Sequence, residues 1–79
     1  MNKLSKQILR ILANSLAHDR EAAKEDMSPQ TASTALAPMI GVARLRSACE
    51  VRGIPNRGEH KVKALKVFQY ELTSLNADN

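Results

Sequence analysis

Apolar residues recur at helical spacing from the start of the chain. Leu4, Ile8, Leu12 and Leu16 fall four positions apart, Ile11 follows Ile8 by three, and Leu9 widens the stripe. Lys3, Lys6, Arg10 and Asn14 take the opposite face. The spacing predicts a first helix over about residues 3–25. Its tail, Asp19 to Asp26, mixes charges of both signs and reads as a solvated face. Ser28-Pro29 is a helix start: the serine caps free N–H groups and the proline suits the first helical position. A short helix should run to about Leu36, and Pro38 disfavours α geometry at Ala37, which predicts a break there.

Met39, Ile40, Val42 and Leu45 restart the apolar pattern, which continues through Ala48, Cys49 and Val51. Gly53 is placed to end that helix in the left-handed conformation. A last helix is expected from about Glu59 to Leu75, burying Val62, Leu65, Phe68, Leu72 and Leu75, with Asn76–Asn79 fraying. Nothing alternates with the period of a strand. The expected fold is all-α: a small bundle of three to four helices, with a helix-extended loop-helix in the C-terminal half. One domain is expected, divided into an amphipathic helix (1–27), a short helix with a proline break (28–38) and the helix-loop-helix (39–75).

Composition narrows the function classes. A 79-residue chain has a marginal core, and this one has one Phe, one Tyr and no Trp. The single cysteine, Cys49, excludes an intrachain disulfide and a cysteine-rich zinc site. No apolar run reaches the length of a membrane span, and Lys6, Gln7, Arg10 and Asn14 interrupt any signal-peptide core. A soluble, cytoplasmic protein is expected, nucleoid-associated if its ligand is DNA.

Charge changes the picture most. From Arg44 to Lys66 there are seven basic residues (Arg44, Arg46, Arg52, Arg57, Lys61, Lys63, Lys66) and two acidic ones, Glu50 and Glu59. That local excess of five exceeds the +4 of the whole chain. It surrounds Arg52-Gly53-Ile54-Pro55-Asn56-Arg57-Gly58, which is turn-like, with helical patterning on both sides. A basic helix, a stiff loop and a second basic helix suit a polyanion. Gly58 is expected to allow close backbone approach at the start of the last helix, whose free N–H groups favour a phosphate. Ile54 is expected to tuck between the two helices.

These residues resemble the first half of a SAP domain. Leu45 and Arg46 match its leucine and basic residue, and Cys49 its core apolar position. Arg52, Gly53, Ile54, Pro55 and Gly58 match its basic-glycine-aliphatic-proline run and second glycine. In the second half, His60 stands where the family has lysine, Lys61 comes one step late and Lys63 occupies the leucine position. The resemblance implies two helices across an extended loop and association with DNA or sometimes RNA.

Other candidates read as structural. Cys49 lies on the apolar face with Leu45, a small core residue rather than a nucleophile paired with His60, and no pattern supplies an orienting carboxylate. His18 and His60 sit on different elements and make no metal site. Phe68 reads as core and Tyr70 as an exposed contact, one aromatic being too little for a base-stacking platform.

The expected function is therefore non-enzymatic and cofactor-free. The chain reads as a small basic nucleic-acid-binding protein that contacts the phosphate backbone with weak sequence specificity. Arg46, Arg52, Arg57, Gly58, His60, Lys61 and Lys63 are the expected contacts. The alternative is a protein-interaction module that meets an acidic protein surface, similar in type to small phage-encoded factors that inhibit or redirect a host complex. The stripe Leu4, Ile8, Ile11 and Leu12 would then be a partner or homodimer interface.

Overall fold

The computed structural model describes residues 3–17 and 26–77, with side chains for 7–17 and 26–75. The described chain is all-helical: α1 (Lys3–Leu16), α2 (Pro29–Leu36), a 3-10 turn (Ala37–Met39), α3 (Val42–Glu50) and α4 (His60–Ala77). α4 is the central element, packed against α1, α2 and α3, with α2 as its most extensive neighbour.

α1 stops at Leu16 rather than running to residue 25, and residues 18–25 lie outside the described ones. Its buried face is Leu9, Ala13 and Leu16, with Leu12 packed beside it. Ile11 is 63% exposed. At about 100° per residue, Leu9 and Ile11 point about 200° apart, so one face cannot bury both. Burial goes to the Leu9 side, so Leu9 lies at the centre of the buried face and not at its margin.

α2 begins where the sequence places it. Ser28 Oγ accepts a hydrogen bond from the Thr31 backbone N–H at 3.2 Å, and Pro29 occupies the first turn. Such a cap contributes about 1 kcal/mol. The buried hydroxyl of Ser33 donates to the Gln30 carbonyl at 3.0 Å, so its polarity is satisfied. The proline break falls later than expected. Ala37 keeps α geometry (φ −52°, ψ −43°), the chain tightens into the 3-10 turn, and extended backbone begins at Ile40 (φ −87°, ψ 123°). Pro38 has no N–H to donate, and the turn closes instead through the Ile40 N–H on the Ala37 carbonyl at 3.1 Å. α3 therefore starts at Val42 and not at Met39, and both residues are exposed while Ile40 is buried.

α3 ends in a Schellman motif. The Ile54 N–H donates to the Cys49 carbonyl (2.9 Å) and the Gly53 N–H to the Glu50 carbonyl (3.2 Å), with Gly53 at φ +70°. Ile54 is half-buried and packs on the core, which holds the loop against the helices. Two ties then orient α3 and α4. His60 Nε2 lies 2.8 Å from the Ile40 carbonyl, and Arg52 Nε lies 2.6 Å from Glu71 Oε1. Ile40 to Arg52 and His60 to Glu71 are nearly equal lengths of chain, so the two helices run side by side in the same direction. The loop between them must travel back along the pair, which is what makes it extended.

The largest apolar side chains of the core are Leu9, Leu36, Leu45, Val67 and Phe68, all 0–2% exposed, with Leu16, Ile40, Cys49 and many alanines around them. Small side chains let helix axes approach closely. On α4 the buried set is Ala64, Val67 and Phe68, whereas Val62 is 39% exposed and Leu65 half-buried. The expected face was rotated, because Val62 and Ala64 lie about 200° apart on a helix. Leu72 packs at the core edge, and α4 continues past Leu75 to Ala77.

Candidate nucleic-acid interface

Parallel α3 and α4 place two helix N-termini at one end of the pair. Gly41 leads into α3 with extended backbone (φ −64°, ψ 146°), and neither helix has an acidic residue in its first turn. The first N–H groups of a helix lack intrahelical acceptors, and with the positive dipole ends they favour an anion there. The loop brings further charge to this end. Asn56 Oδ1 accepts from Lys63 Nζ at 2.9 Å, which draws residues 56–58 against the start of α4. The Arg57 N–H donates to the Pro55 carbonyl at 2.9 Å, a tight turn that sets the loop path just before Gly58.

The expected basic contacts divide into two sets. Arg46, Arg57 and Lys61 are exposed, and the structure gives them no hydrogen-bond or ion-pair partner among the described residues. Lys66 is exposed in the same way, although the sequence reading did not select it as a contact. Arg52, His60 and Lys63 are engaged within the fold. Arg52 pairs with Glu71 at 2.6 Å and also donates to the Ala48 carbonyl at 2.7 Å, with side chains only 16% and 27% exposed. The His60 bond runs to a carbonyl, which only accepts, so Nε2 carries the proton. Arg44, outside the expected contact set, donates to the Ser15 carbonyl at 2.9 Å and ties α3 to the end of α1.

Gly58 has φ +89°, and a Cβ built there would meet nothing within 4 Å. The backbone conformation itself therefore calls for glycine, and the space beside its Cα is open at the start of α4. Glu59 is exposed beside this site and carries the one charge of opposite sign between Arg52 and Lys66. Cys49 is fully buried, as a core residue would be.

Of the expected interface on α1, Ile11 is exposed, Ile8 and Leu12 are half-buried, and the side chain of Leu4 lies outside the described ones. Leu12 and Leu16 line a shallow groove between α1 and α3, closed on the other side by Ala43, Ser47 and Val51. Val51 is 78% exposed. Sequence reasoning missed this groove, because it counted Val51 as part of the α3 core pattern. No described helix is long and apolar enough to cross a membrane. No family model, curated protein or solved structure matches the chain.

Proposed function

We propose that the protein binds nucleic acid through its phosphate backbone, using a SAP-like helix-extended loop-helix, with weak sequence specificity. One observation carries this reading. The end of the α3–α4 pair that holds both helix N-termini also presents Arg57 and Lys61 unpaired among the described residues. Arg57 offers a planar fork of donors and Lys61 a mobile ammonium, and both suit phosphate oxygens. Arg46 on α3 and Lys66 on α4 are further exposed cations. Arg52, His60 and Lys63 hold the scaffold, with Lys63 near enough to the loop to add charge. Contacts of this kind position a protein on a strand without reading bases.

The test is a titration of the purified protein against labelled duplex DNA, single-stranded DNA and RNA at two salt concentrations. Binding that weakens steeply with salt is the expected result. Absence of binding at low salt would remove the reading and turn attention to the second one. That second reading, a protein-interaction module, is favoured by the apolar groove between α1 and α3 with Val51 at its lip. It expects a stable complex with an acidic partner that Val51→Glu disrupts, measured by co-sedimentation. A complex indifferent to Val51→Glu would exclude the groove as its seat.

A further inference from the structure

The sequence has one tyrosine and no tryptophan, and that tyrosine is 45% exposed on α4. It does not stand alone in space. Tyr70 lines a shallow groove with Lys66, Gln69 and Thr73 on one side and Ile54 and Pro55 on the other. Lys66 and Tyr70 are one helical turn apart, as are Gln69 and Thr73, so two adjacent rows of α4 face the returning loop. The loop wall is apolar, whereas the helix wall offers an ammonium, an amide, a hydroxyl and an aromatic ring. Arg52 also lines this groove, but its charge is met by Glu71. Lys66 is therefore the cation left to meet a ligand there.

A flat, partly apolar group carrying an anion fits this set, and a nucleotide is such a group. We infer that the groove between the 53–55 loop and α4 is a subsite for one unpaired nucleotide, with its base on Tyr70 and its phosphate on Lys66. The inference rests on the nucleic-acid reading and deepens it by naming the substrate class, a single strand. In a duplex the bases are stacked on each other and their edges are paired, so no ring is free to enter. A single strand presents unstacked bases, and a π face accepts any of them. Gln69 supplies both a donor and an acceptor to a base edge, which permits a mild preference without a code. A lone ring is too little for a platform of several bases, but one base needs one ring and a second wall, and Pro55 with Ile54 supplies that wall.

Because Tyr70 is the only strong intrinsic fluorophore of the chain, it reports its own contact. The protein is titrated with a labelled oligothymidylate, an abasic oligomer of equal length and a duplex of equal length. Binding is followed by anisotropy of the label and contact by tyrosine emission, corrected for absorbance with free tyrosine amide. The expected result is quenching by the oligothymidylate alone, with all three ligands bound. Tyr70→Ala should weaken single-strand binding about tenfold while leaving duplex binding unchanged, and Tyr70→Phe should restore it. Equal quenching by the abasic oligomer, or binding of the oligothymidylate without quenching, overturns the subsite and leaves the phosphate reading intact. Failure of all three ligands to bind at low salt overturns both.

Discussion

At the far end of the α3–α4 pair, Arg52 meets Glu71 and the Ala48 carbonyl, and its charge is spent inside the molecule. At the near end, Arg57 and Lys61 meet no described partner, and two helix N-termini add to their field. Both ends draw on the same basic run of sequence. What separates them is the neighbour that the fold delivers. Glu71 lies 19 residues beyond Arg52 and arrives only because α4 runs alongside α3. At the near end, Arg57 and Lys61 have no carboxylate partner among the described residues, and the neighbouring Glu59 is exposed. A count of basic residues thus states how much charge a segment carries, whereas the packing decides which of it faces a ligand.

Reversing charge at the near end is expected to have the largest effect. Arg57→Glu combined with Lys61→Glu should weaken binding to any nucleic acid about a hundredfold at low salt, and should lower the salt slope by about two. The melting temperature should stay close to that of the parent, because both side chains are solvated. A salt series measures the slope, and retained affinity in the double variant would sink the assignment of this end.

At the far end the same kind of change should strike stability instead. Glu71→Ala leaves a largely buried guanidinium without its carboxylate, at a cost of about 1–3 kcal/mol. Urea unfolding should show a lower midpoint, while the freed Arg52 charge, which lines the groove beside Tyr70, leaves the affinity of the folded protein for nucleic acid no weaker than the parent's. Replacing both partners by apolar residues, Arg52→Met with Glu71→Leu, should recover most of the loss. An unchanged midpoint in Glu71→Ala would mean that the pair is a solvated contact of little worth.

The turn that joins the two ends allows a smaller test. Gly53→Ala places a side chain at φ +70° with nothing within 4 Å, so only backbone strain opposes it. The cost is about 1–2 kcal/mol, seen as a drop of about 4–8 °C in melting temperature for each kcal/mol. A melting temperature equal to the parent's would show that the loop relaxes elsewhere. The smallest effect is expected from Glu59→Gln, which removes a negative charge from the end proposed to meet phosphate. Affinity for nucleic acid should rise about threefold, an effect of the size of one screened charge near a helix start. Unchanged affinity would place the phosphate path away from Glu59.

Much of the fold could be read in the chain. The start of α2 at Ser28-Pro29, the stop at Gly53 and the half-buried Ile54 follow from local chemistry, since a cap, a proline or a left-handed glycine acts within a few residues. The faces of α1 and α4 were less legible. A broad apolar stripe such as Ile8-Leu9-Ile11-Leu12 admits more than one buried face, and the choice of Leu9 over Ile11 depends on which helix docks where. The candidate site was half legible. Arg57, Lys61 and Arg46 stay on the surface, but the ties Arg52–Glu71, His60–Ile40 and Lys63–Asn56 join residues from 7 to 20 positions apart that no periodicity connects.

The sequence alone therefore determined the helical class, the caps and stops, and the concentration of positive charge around the Arg-Gly-Ile-Pro loop. These depend on residue type and near-neighbour geometry. Only the tertiary structure decided that α3 and α4 run in the same direction, that their N-termini share an end, and that Arg52 is neutralised while Arg57 is not. Those outcomes depend on contacts between elements distant in the chain, where burial and ion pairing are settled by packing.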